Sequence, residues 1–239
     1  MIRQQENFNN QQSEHVDIWE LILMGKFQMA NDLAQMEFDN SHDVLPLRNK
    51  VYALLHLRKY EEVVQLTNKL IETTNGEVDS DFISCGIAHW ALGKKEEAIT
   101  CWRQSQKSKY TDAAGGIEVK VILYFASIKE DLKQLKNEMI KDIRKLIRPK
   151  VAVLNWPGPI GNYVLGEMSD NELLSRVATV PVLRERNLSQ AYFAMAIKKL
   201  EEKNLDDYRA WLKKVIEFGP TVYLEHFFYI AKIELEDIF

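Results

Sequence analysis

The chain has 239 residues, of which 46% are hydrophobic and 28% charged, and its formal net charge is −4. This is the balance of a folded globular protein rather than a disordered one, and an acidic surplus is the wrong sign for a general nucleic-acid binder. No run of about 18 apolar residues is present, so no membrane span is expected. The opening MIRQQENFNNQQSEH lacks the apolar core of a secretory signal, and a cytoplasmic location is expected.

Only 10 Gly and 6 Pro occur and β-branched alternation is scarce, which favours helix throughout. Residues 1–13 are Gln/Asn-rich and are expected to fray. Residues 14–239 read as one domain of helix pairs, approximately 14–40, 46–75, 79–112, 117–148, 156–180 and 185–218, with a terminal helix over 221–239. The first pair runs through Ile18, Trp19, Ile22 and Leu23, breaks at Gly25, and resumes at Phe27, Ala30, Leu33 and Ala34. The second starts at Pro46, turns near Arg58–Tyr60 and continues through Val63, Val64, Leu66 and Leu70.

The third pair, FISCGIAHWALGKKEEAITCWRQSQKSKY over 82–110, is the clearest. Gly86 and Ala98 are small residues expected at the closest approach of two helices, Phe82, His89 and Trp102 are bulky packing residues, and Gly93 suits a left-handed helix cap. Ala30, Val63 and Ala98 align at spacings of 33 and 35 residues. Residues 117–147 continue with Ile117, Val121, Ile122 and Phe125, then Leu132, Leu135, Met139, Ile143 and Leu146 before Pro149.

Trp156-Pro157-Gly158-Pro159 breaks the period and leads into a short helix ending near Leu165, after which Ser169 and Glu172 are spaced for a capping box. The register returns at Tyr192, Met195, Ala196, Leu212 and Pro220, with Tyr208 at a place that otherwise takes a small residue, which predicts a splayed pair.

The layout resembles the tetratricopeptide (TPR) family, whose repeat of about 34 residues is a helix hairpin. Trp156, Pro157, Tyr163, Leu165, Gly166, Ser169, Glu172, Leu173 and Leu174 are similar to the connecting segment of bacterial TPR proteins of the NlpI type. The resemblance implies an all-α, TPR-like hairpin solenoid, an α-α superhelix, and the function of binding another protein. It also implies that first helices line a concave surface. The positions beside the packing residues carry His15, Trp19, Arg48, Tyr52, Leu55, Ile83, Ile87, Trp90, Phe193 and Ile197, the expected partner-binding set. Trp19, Tyr52 and Trp90 are expected to be partly exposed as anchors. TPR domains that clamp a C-terminal carboxylate place Lys, Asn and Arg at such positions, whereas His15, Trp19, Tyr52, Ile83 and Ile87 stand there here, so a clamp of that kind is not expected.

No HExxH, CxxC, GxGxxG, phosphate-loop or GxSxG motif is present, so catalytic residues, cofactors and metal ligands are all expected to be absent. His89 is read as a core ring, and Cys85 and Cys101 as two reduced core thiols. An enzyme would need a pocket at the Trp156–Gly161 turn. Residues 129–150 carry eight basic against four acidic side chains, a local +4 that leaves −8 on the rest, and Lys129, Lys133 and Lys136 are expected on one solvated face. A signal-less, acidic helical array points most specifically to an immunity-type protein that neutralises a bacterial toxin domain, with a scaffold or regulator reading a peptide as the alternative.

Overall fold

A computed structural model describes residues 17–148 and 154–237. Within them the chain is 75% helical, forms thirteen α-helices packed in consecutive pairs, and has no strand. The expected frayed segment 1–13 lies outside the described residues.

In chain order the helices are α1 (Ile18–Leu23), α2 (Phe27–Ser41), α3 (Leu45–His56), α4 (Tyr60–Thr73), α5 (Asp79–Ala91), α6 (Lys95–Ser105), α7 (Ile117–Lys129) and α8 (Lys133–Ile147). They continue as α9 (Gly158–Val164), α10 (Asp170–Ser175), α11 (Pro181–Glu201), α12 (Leu205–Ile216) and, after a 3-10 turn at Gly219–Val222, α13 (His226–Glu236).

One turn geometry joins the two helices of five pairs. Gly25, Arg58, Gly93, Asp131 and Lys203 each adopt a left-handed backbone, with φ between 50° and 73°. In each turn the next amide donates to a carbonyl five residues back: Lys26 to Leu21, Lys59 to Leu54, Lys94 to His89, Leu132 to Ser127 and Asn204 to Lys199. The first helix is thereby closed by satisfying its last carbonyls, and the chain is sent straight into an antiparallel partner. Ala30, Val63 and Ala98 are each the fourth residue of their second helix and are fully buried, so the spacing seen in the sequence is a spacing of equivalent sites. Tyr208 is the corresponding residue of α12, yet that pair is not splayed: among the described helices, α11 and α12 make the most extensive contact. The ring instead points its hydroxyl at Glu234 of α13.

Gly86 and Ala98 are buried at the α5–α6 contact, where a β-carbon on Gly86 would stand 2.2 Å from the Trp102 indole nitrogen. The Ser169–Glu172 capping box is present at the start of α10. Gly161 allows α9 to sit against Ile117 and Ile147, since an added β-carbon would come within 2.8 Å of the Ile117 side chain.

Helix α13 follows α12 in sequence and also crosses the first helices of earlier pairs. Its first turn meets α7 through His226 and Glu118, and its last turns meet Arg58, Lys95 and Lys129. It therefore runs parallel to α7, with Phe227, Tyr229, Ile230 and Ala231 all buried. Tyr223, just before it, packs on Phe27 and His56 near the start of the array. The helix fills the space that the first helices enclose.

Candidate partner-binding surface

The expected anchors do not form an open face. Leu55, Ile83, Ile87, Trp90, Phe193 and Ile197 are at most 2% exposed, which corrects the expectation of a free concave surface and of a partly exposed Trp90. The cause is α13. Phe193 stacks on Phe227 at 4.7 Å between centroids, and the Trp90 indole donates to Glu234 at 2.8 Å. Trp19 and Tyr52 are half-buried, meeting edge to face at 6.5 Å, while Tyr52 also lies beside His226 and Tyr229. Arg48 is committed to a two-pronged bond with Asp81 of α5, at 3.0 and 2.9 Å. His15 lies outside the described residues.

Polar groups hold α13 in place at both ends. The Glu234 carboxylate, fully buried, accepts from the Trp90 indole, from Lys129 at 2.5 Å and from the Tyr208 hydroxyl at 2.9 Å. A buried carboxylate is tolerable only with such donors. Lys129 thus turns inward, against the expectation that it joins Lys133 and Lys136 on a solvated face. At the other end Glu225 accepts from Arg186 and Gln190, and Gln190 in turn accepts from Trp156. His226 is enclosed. Burial alone would lower its pKa, but the Glu118 carboxylate at 3.1 Å overrides that and raises it.

Among the described residues an open concavity lies elsewhere, and the length of α9 explains it. Seven residues of helix span about 10 Å, whereas the 15 residues of α8 span about 22 Å. The start of α7 and the end of α8 are covered by α9, through Ile117 and Ile147. The opposite ends of α7 and α8 are left facing the last turn of α11 across a gap. This cleft has a volume of about 620 Å³ and continues into a further hollow of about 250 Å³ that shares Lys136 and Glu201 with it. Ile128, Leu200 and the half-exposed Leu205 form apolar wall, and Asp131, Lys133 and Lys203 stand at the rim. Across its middle Lys136 donates to Glu201 at 2.6 Å, and the Tyr124 hydroxyl donates to the same carboxylate at 3.2 Å. Burial, reinforced by that carboxylate, raises the Tyr124 pKa and keeps the phenol protonated. Ser127, Leu200, Lys203 and Leu205 were missed by sequence reasoning; the signal for them was one short helix between two long ones.

At the Trp156–Gly161 turn the described residues are packed rather than open. Pro157 through Gly161 are buried under α7 and α8.

Three soft or nitrogen donors do converge, at the α5–α6 hairpin: Cys85, His89 and Cys101 place one ligand atom each within 4.8 Å of one another. Contrary to the core reading, His89 and Cys101 are only half-buried. Comparison with protein-family models and with curated proteins gives no match for this chain.

Proposed function

We propose that this is a non-catalytic, TPR-like helical-repeat protein that binds a protein partner, in its most specific form an immunity-type protein that neutralises a bacterial toxin domain. The five equivalent turns and the equivalent buried sites at Ala30, Val63 and Ala98 support the repeat reading. The observation that carries the partner reading is an acidic edge. Glu61 and Glu62 on α4, Glu96 and Glu97 on α6, and Asp206 and Asp207 on α12 are all exposed in the first turn of a second helix. They recur at equivalent turns, each beside cations of the same turn: Arg58 and Lys59, with Lys59 paired to Glu62, then Lys94, then Lys203. Each pair favours the positive end of its helix, so the cost of holding the acids together is low. Such an edge attracts a basic partner and speeds encounter.

The test is co-expression with the product of the adjacent gene, followed by calorimetry. A one-to-one complex that relieves growth arrest, with association slowed about tenfold or more when Glu61, Glu62, Glu96 and Glu97 are all changed to Lys, is the expected result. An unchanged association rate at low salt defeats the acidic-edge reading. The second reading, a regulator that takes up a peptide, is favoured by the cleft. Its apolar wall and lysine rim suit an acidic segment with an apolar anchor. Leu200→Asp would then abolish peptide uptake while the acidic-edge variant binds normally.

A further inference from the structure

Cys85 and His89 sit one turn apart on α5, so their side chains leave the same face of the helix. Cys101 comes from the facing turn of α6. The two helices approach closely because Gly86 leaves room for the Trp102 indole, which itself donates to the Ile83 carbonyl at 3.1 Å. That approach brings the two sulfurs to 3.1 Å from each other, with the imidazole beside them. The Nδ1 atom of His89 is enclosed and has no hydrogen-bond partner. An enclosed ring nitrogen without a partner costs about 1–3 kcal/mol unless something else satisfies it.

We propose that Cys85, His89 and Cys101 form a three-ligand site for a thiophilic divalent cation, zinc above all. A tetrahedral zinc ion with bonds of about 2.3 Å to sulfur and 2.0–2.1 Å to nitrogen needs its donors about 3.5–3.8 Å apart. Small side-chain rotations meet that spacing from the arrangement in place. Two thiolates balance the dication, and soft sulfur with imidazole is the donor set that selects zinc over magnesium or calcium. Binding exchanges two thiol protons for one metal ion, with no change in oxidation state: the S–H bonds of Cys85 and Cys101 are lost to solvent and two S–metal bonds form. The fourth position falls to water or to Asn68, an exposed residue whose side-chain oxygen lies 3.9 Å from the Cys85 sulfur. Half-burial of His89 and Cys101 leaves the ion a way in from solvent. The site ties α5 to α6 and α4 at their edge. It stands apart from the cleft, while Glu97 of the acidic edge lies one helical turn before Cys101, and the proposal does not depend on partner binding.

The experiment is titration of the fully reduced protein with Co(II), read by absorption, followed by displacement with Zn(II). One cobalt per chain is expected, with sulfur-to-cobalt charge transfer and the ligand-field bands of a tetrahedral centre. Loss of an outer-sphere partner alone lowers metal affinity about 10–100-fold, so His89→Gln should lower it by at least that much. Cys101→Ser should remove about half of the charge-transfer intensity. His89→Gln lies at the half-buried edge and keeps the test open if a cysteine variant fails to fold, as circular dichroism would show. Absence of the charge-transfer band overturns the proposal, as does equal affinity in His89→Gln. Alkylation at the moment of lysis that finds the two sulfurs joined to each other also overturns it, in favour of a redox pair.

Discussion

Replacing Glu234 with Ala removes the common acceptor for three donors on three different helices: Trp90 on α5, Lys129 on α7 and Tyr208 on α12. Hydrogen bonds to a charged group are worth about 1.5–3 kcal/mol each, and a donor left buried without a partner costs about 1–3 kcal/mol. Lys129 remains 28% exposed and recovers part of its loss from water, so its share falls at the low end. Trp90 and Tyr208 are buried and recover little. Breaking a buried pair from one side costs about 3–5 kcal/mol, and that is the expected loss for Glu234→Ala in chemical denaturation. Glu234→Gln retains an acceptor but places an amide donor against the remaining donors, and about half the loss is expected. The pair term is isolated by Lys129→Met, alone and combined with Glu234→Gln. Amide hydrogen exchange gives the second readout, since protection should fall first across α13. A Glu234→Ala protein within about 1 kcal/mol of the parent, with α13 still protected, would refute the claim that this carboxylate fastens the helix.

Gly86→Ala should destabilise the chain by about 1–3 kcal/mol in thermal or urea unfolding, because the new methyl meets the fixed Trp102 ring and outweighs the usual gain in helix propensity. Lys203→Gly should raise stability by up to about 1 kcal/mol by relieving a left-handed lysine at φ 61°, and Gly93→Ala should lose a similar amount. His56 is stacked on Phe27 at 4.0 Å, and burial, helped by Lys232, lowers its pKa to about 3. A base held neutral in the fold contributes stability that is complete above its unfolded pKa of about 6.5 and declines as pH falls toward 3. Between pH 6.5 and 5, unfolding free energy should therefore drop by up to about 1.4 kcal/mol per pH unit more in the parent than in His56→Phe, measured by denaturant midpoint.

The turns were legible because their chemistry is local. Gly25 and Gly93 announce a left-handed cap, and Ala30, Val63 and Ala98 mark the same small site in successive pairs. Arg58, Asp131 and Lys203 take the same backbone with no glycine to signal it, so only the surrounding periodicity revealed them. The buried acids were not legible. Glu234 sits in IAKIELEDIF, within the expected terminal helix, and its three donors lie 144, 105 and 26 residues away. The face that periodicity assigns to a helix says that it is covered, not by what. One signal was present and unused: Phe227, Phe228, Tyr229, Ile230 and Ala231 are consecutive, and a helix apolar on every side is one enclosed on every side. The same holds for Val121–Ala126 of α7. The Cys85–His89 pair matches no metal motif in the sequence, although one helical turn aligns cysteine and histidine as well as it aligns two histidines.

Closure by α13 decides which surfaces are available for binding. A partner for the inner groove has to displace the helix, expose Phe227, Tyr229 and Ile230, and leave Glu234 or its donors without their bonds. Burial of each such large apolar side chain contributes about 1.5–3 kcal/mol, so displacement opposes groove binding by far more than an ordinary interface residue returns. A ligand shifts an equilibrium only by its differential affinity for the two forms. The outer acidic edge and the α7–α11 cleft carry no such cost, since both are open with α13 in place. The Glu234→Ala variant separates the two cases. A partner of the edge or cleft should bind it as it binds the parent, because neither surface includes residue 234. A partner of the groove should bind it more tightly, by the amount the loosened helix no longer withholds. Tighter binding by Glu234→Ala would place recognition inside the array and remove the edge and the cleft from consideration.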